Sequence, residues 1–121
     1  MAASLNFSIE QGSDFERVLR VTVNGIHDDL SDSTFSGQIK KYVTDSKVLA
    51  NFTFEPGDDA TRIVLKLPGT ASSEIPVKAQ KTQTRTTEMF CYDIERIHPD
   101  GKRERILEGT IELSPEVTKD V

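Results

Sequence analysis

The sequence predicts an all-β protein, and three observations carry that expectation. Apolar and polar residues alternate with period two in segment after segment, as strands with one buried face require. Glycine, proline and asparagine fall between those segments, where tight turns need their backbone geometry. No segment carries an apolar stripe at helical spacing.

Taken in order, Leu5, Phe7 and Ile9 interleave with Asn6, Ser8 and Glu10, which predicts a strand with one apolar face, followed by a turn at Gln11-Gly12. Residues 15–23 predict a second strand, with Leu19, Val21 and Val23 on one face and Arg20 and Thr22 on the other. It ends at Asn24-Gly25, a dipeptide suited to the mirror-image turns of hairpins. The acidic stretch 27–32 is expected to be loop. Residues 34–42 place Phe35, Gly37 and Ile39 on one side of a strand, and residues 48–54 do the same with Val48, Ala50, Phe52 and Phe54. Pro56-Gly57-Asp58-Asp59 is a turn by composition and joins that run to 61–67, where Ile63, Leu65 and Leu67 alternate, so a hairpin is expected.

Residues 68–88 are polar, contain Pro68, Gly69 and Pro76, and end in a threonine-rich run, which predicts one irregular turn and one edge strand polar on both faces. Phe90, Tyr92 and Ile94 alternate within 88–98, Pro99-Asp100-Gly101 turns the chain, and Leu107, Gly109, Ile111 and Leu113 complete a final hairpin. About seven short antiparallel strands at fairly even intervals predict an immunoglobulin-like β-sandwich. With one Cys and no Trp, that expectation rests on strand count and spacing rather than on a disulfide packed against a core tryptophan. The length of 121 residues suits one domain, 1–121, with a core large enough to need no staple.

Fifteen Lys and Arg against twenty Asp and Glu leave a net charge of −5, which opposes duplex nucleic acid or an anionic membrane as the main partner. Cys91 is the sole cysteine, so no internal disulfide forms, as suits a reducing compartment. Residues 1–7 have neither the basic start nor the apolar run of a secretion signal, and no stretch approaches the ~18 apolar residues of a membrane helix.

The residues that carry chemistry are few. His27 and His98 fall in expected turns, away from any nucleophile pattern. Cys91 lies within a strand, on the face opposite Phe90, Tyr92 and Ile94, as a small packing residue. Asp28, Asp29 and Asp32, and Asp58 and Asp59, lack the spacing of a calcium loop and read as solvated acids. No glycine-rich phosphate loop, Cys-x-x-Cys or His-Glu-x-x-His motif occurs, so no catalytic, cofactor-binding or metal-ligating residue is expected. Lys40 and Lys41 beside Tyr42 are too sparse for a nucleic-acid platform. The stretch 68–88 exceeds the usual loop length of a tight domain, and such loops commonly carry function. The expected partner interface therefore comprises Lys78, Lys81, Arg85 and Thr86 within it, together with Glu116, Val117 and Thr118, from which edge strands can extend a neighbour's sheet.

Phe7-Ser8-Ile9-Glu10-Gln11-Gly12-Ser13-Asp14-Phe15 resembles the I-E-Q-G-x-x-F opening of a family of small tailed-bacteriophage virion structural proteins. The run from Leu107-Glu108-Gly109-Thr110 to Ser114-Pro115-Glu116-Val117-Thr118 resembles that family's E-G-x-V-x-V-x-P-E-V-T ending. Between them, Asp29-Leu30-Ser31, Gln38-Ile39-Lys40 and Tyr92-Asp93-Ile94-Glu95 resemble its middle segments in the same order, and the set is similar to the N-terminal domain of phage baseplate upper proteins. Residues 68–88 depart from the pattern, since relatives carry a short Ala- and Thr-rich segment there. The resemblance implies a compact β domain that binds other virion subunits and catalyses no reaction, and does not say which part of the particle; the role expected here is an adaptor of the tail, baseplate or neck. Its partners would be other virion structural proteins, a homo-oligomer is compatible with it, and its location would be the virion, assembled in the host bacterial cytoplasm. Two alternatives stand beside this: a capsid decoration (cement) protein, and a β-sandwich that binds host-surface carbohydrate. The latter needs an exposed aromatic platform, yet Trp is absent and most of the six Phe and two Tyr fall on faces expected to be buried.

Overall fold

The computed structural model describes residues 2–77 and 87–116. Among them the chain forms, in order, β1 (Ala3–Ser4), β2 (Phe7–Glu10), β3 (Phe15–Leu19), β4 (Thr22–Val23), β5 (Ile26–His27), β6 (Thr34–Lys40), β7 (Ala50–Asn51), β8 (Thr53–Pro56), β9 (Ile63–Leu67), a single helical turn α1 (Gly69–Ser72), β10 (Glu88–Ile97) and β11 (Arg103–Ser114). The larger sheet has the order β1-β11-β10-β6-β7, with β2 also pairing β11. The smaller sheet is β3-β9-β8, and β4 and β5 form a separate hairpin.

The alternation explains how the two sheets meet. In β9, Ile63, Leu65 and Leu67 are buried while Val64 and Lys66 are not, and in β10 Phe90, Tyr92 and Ile94 point the same way into the core. These faces meet Phe7, Ile9, Ile39, Ile111 and Leu113 in one cluster that also takes in Phe15. Phe7 sits 5.2 Å from both Phe15 and Tyr92, and Phe52 sits 5.9 Å from Tyr92, so aromatic rings bridge the two sheets. The result is the all-β, immunoglobulin-like sandwich that the patterning predicts.

Both expected hairpins form, and the expected turn at Asn24-Gly25 closes a third. Asn24 (φ 53°) and Gly25 (φ 78°) both occupy the left-handed region between β4 and β5, which that dipeptide is chosen for. The turn at 57–62 joins β8 to β9, and Pro56 is tolerated because β8 is an edge strand. The turn after His98 joins β10 to β11.

Other expectations change. The strands are not uniformly antiparallel, for β1 and β2 run parallel to β11, with Ala3 opposite Leu107 and Phe7 opposite Ile111. Leu5 is consequently exposed at the break between β1 and β2, not part of the buried face. The run 15–23 is not one strand: β3 ends at Leu19, and Val23 belongs to the projecting hairpin, whose second strand holds His27 and so shortens the expected loop. The run 48–54 divides at Phe52, so that β7 pairs β6 in the larger sheet while β8 pairs β9 in the smaller. Phe52 is buried between them and spans the two layers, which is why its apolar alternation continues unbroken through the switch. Within 68–77 the chain makes the turn α1 and then buries Ile75; the edge strand expected nearby falls on residues outside those described.

A bulge also interrupts the last hairpin. Ile94 pairs Leu107 but Glu95 pairs Arg105, leaving Ile106 as the extra residue, partly packed on the core.

Candidate interaction surface

Gln11 is the centre from which the surface is organised. Its side chain is 4% exposed, and its Nε2 donates to the Ile75 carbonyl at 3.0 Å while its Oε1 accepts the Glu116 backbone N–H at 3.0 Å. Its own backbone N–H donates to the Ser114 carbonyl. Gly12 follows in the left-handed region (φ 88°), and its N–H donates to the Oγ of the fully buried Ser72. The Asp14 carboxylate accepts the Gly69 N–H at 2.7 Å, so the turn after β2 grips α1 through two side chains. A Cβ at position 12 would run into the Glu116 carboxylate, which lies over the glycine.

Of the residues expected at a partner interface, Glu116 alone is described, and it is half-buried at this junction rather than displayed on a free tail. Lys78, Lys81, Arg85, Thr86, Val117 and Thr118 lie outside the described residues.

Patterning did not reveal Arg96. It continues the inward row of Phe90, Tyr92 and Ile94, and is 5% exposed. Its guanidinium donates to Asp28 Oδ2 at 2.6 Å, to the Ser33 hydroxyl at 2.9 Å and to the Asp29 carbonyl at 3.1 Å, which satisfies the buried charge and ties the 28–33 loop to β10. The bond from Arg96 is the main reason the Asp28 carboxyl lies below its ordinary pKa. The Ser31 hydroxyl does the same for Asp29, and the Thr61 hydroxyl for Asp59. These acids close local turns, and among the described residues no three His, Cys, Asp or Glu gather as metal ligands would.

The histidines are equally occupied. His98 Nε2 lies 2.8 Å from Glu104 Oε1. His27 Nδ1 lies 3.1 Å from the Thr22 hydroxyl, but its other nitrogen faces the Arg20 guanidinium at 3.5 Å, a cation where a nucleophile's base would need an acid. Cys91 faces outward, half-buried, and burial followed by the charges of Asp45 and Asp93 pushes its thiol up, away from the reactive thiolate.

Two surface features remain. The outer face of the larger sheet is a concavity of about 540 Å³, bordered by Gln38, Lys40, Cys91, Asp93 and Thr110 and laced by the Arg105–Asp93 ion pair at 3.4 Å. Tyr42, beyond its rim, is the one strongly exposed aromatic among the described residues, less than a sugar-stacking platform uses. The second is a groove of about 490 Å³ between β1, β3 and the β4–β5 hairpin, with Leu5, Val18, Val23 and Ile106 in its lining and Arg20, Asp28, Glu104 and Arg105 around it. Val18 is 61% exposed and Ile26, across the hairpin from Val23, is 72% exposed. No described helix is long and apolar enough to cross a membrane.

No family model matches the chain, and no curated protein matches it. Among solved structures, murine CRIg aligns over 93% of this chain and 92% of its own at 10% sequence identity, with a TM-score of 0.40. At that level the likeness carries no information on function.

Proposed function

We propose that this chain is a non-enzymatic structural subunit of a bacteriophage particle, acting as an adaptor in the tail, baseplate or neck. The observation that carries the reading is the relation between its two family-like segments. Phe7 to Glu10 lie beside Ile111 to Ser114 in one sheet, residue for residue, and Gln11 closes the pair by accepting the Glu116 N–H. The two matched segments are thus neighbours in one sheet, which supports reading them together. The histidines, the thiol and the loop acids described above are each engaged in ways that serve the fold, which agrees with an assembly role.

The test is proteomic and visual. Gradient-purified virions of the phage that encodes the chain are expected to contain it, and gold-labelled antibody is expected to mark the tail, baseplate or neck. Label confined to the head would establish the decoration alternative instead. Its absence from purified virions would overturn the structural reading altogether.

A further inference from the structure

We propose that the β4–β5 hairpin and the groove beside it form an interface between two copies of this chain, each inserting its hairpin into the groove of the other. Every residue from Thr22 to His27 is exposed, so the hairpin is an arm that projects from the sandwich. A two-stranded hairpin is marginal in water without a surface to pack on. This one presents Val23 and Ile26 as a cross-strand apolar pair at its tip.

The adjoining groove has what such a tip needs. Leu5, Val18 and Ile106 contribute an apolar floor. It lies between β1 and β3, which among the described residues pair β11 and β9 respectively and no other strand, so each offers an edge to an added strand.

Electrostatics selects the occupant. The chain carries a net charge of −5, so two copies repel across most approaches. This patch is the exception: residues 21–26 carry no formal charge, and the charged residues lining the groove are three cations, Arg20, Arg96 and Arg105, against two acids, Asp28 and Glu104. An apolar-centred patch without the chain's acidic excess, containing both knob and hole, is self-complementary about a two-fold axis, and such pairing closes at two copies.

The experiment is sedimentation equilibrium of the purified full chain over a wide concentration range, repeated with Ile26→Asp, Val23→Asp and, as a control on a separate exposed apolar residue, Met89→Asp. The wild type is expected to move from monomer to dimer. Ile26→Asp and Val23→Asp are expected to weaken that dimer by at least about tenfold, with circular dichroism unchanged because both side chains are solvent-exposed, whereas Met89→Asp dimerises normally. A strictly monomeric wild type, an oligomer larger than two, or a dimer that survives Ile26→Asp in the folded state would each overturn the proposal. The result is independent of whether the chain is found in a virion.

Discussion

The Tyr92 hydroxyl donates a hydrogen bond to the Leu5 carbonyl at 2.6 Å, joining the centre of β10 to the break between β1 and β2 across 87 residues of sequence. Around it, Leu5 N–H donates to the Glu108 carbonyl and Asn6 Oδ1 accepts the Thr110 N–H, so side chains replace the ladder where the strand is interrupted. Tyr92→Phe keeps the ring but leaves the carbonyl unpaired, and is expected to cost about 1 kcal/mol in urea unfolding.

The same tyrosine sets an alkaline limit. Burial raises its pKa from 10.0 to about 12, so the unfolded chain gives up this proton first. The stability it contributes is fully present below pH 10 and is lost as pH rises from 10 towards 12. Unfolding midpoints measured across that range should fall for the wild type and fall less for Tyr92→Phe.

Gln11→Leu preserves volume but strands the Ile75 carbonyl and the Glu116 N–H. The expected loss is about 2 kcal/mol by chemical denaturation. Hydrogen exchange should quicken first at Glu116 and in the 72–75 turn, and uniform quickening over both sheets would show that the clamp is not local.

Arg96→Met removes three hydrogen bonds from a buried guanidinium and leaves Asp28 without its cation, with an expected cost of about 2–3 kcal/mol. The Asp28 carboxyl is held below its ordinary value of 3.8, chiefly by the Arg96 bond, so its stabilisation is present above pH 3.8 and fades as pH falls further. An acid titration of stability should therefore be shallower in Arg96→Met than in the wild type below that pH.

Gly109→Ala tests the seam from the other side. A methyl group there would occupy the space of the Leu5 carbonyl, a backbone atom that cannot swing aside. Overpacking of this kind is expected to cost about 1–3 kcal/mol. Exchange protection should drop at Leu5 and Thr110 while the β10–β6 ladder keeps its own.

How far the sequence reveals the fold depends on whether one face of a strand meets the core throughout. Ile63, Leu65 and Leu67, or Phe90, Tyr92 and Ile94, do so, and their alternation reads directly as burial. Arg96 escapes because a charged residue at the next inward position signals the end of a buried face, and only the loop acids brought up from residues 28 and 29 permit it. Phe52 hides a change of sheet because a residue buried between two layers keeps the same parity in both. Ile106 hides a bulge because the extra residue is itself apolar. The exposed hairpin is invisible for the opposite reason: Val23 alternates with Leu19 and Val21 and reads as part of a buried face, and nothing local says that the core lies elsewhere. At the surface, Glu116, expected as a partner contact, is half-buried and donates its backbone N–H to Gln11, an anchoring that strand patterning does not signal.

The parallel seam of β2 and β11 also orders events in time. Residues 104 positions apart must meet there, as Asn6 and Thr110 do. On the ribosome, β2 emerges before β11 and lacks that ladder partner until residues 103–114 have been made, since β11 is the one strand it pairs among the described residues. The nascent chain must therefore carry an uncommitted apolar strand until those residues have been made, and closure of the larger sheet belongs among the slow steps that distant strand pairing imposes.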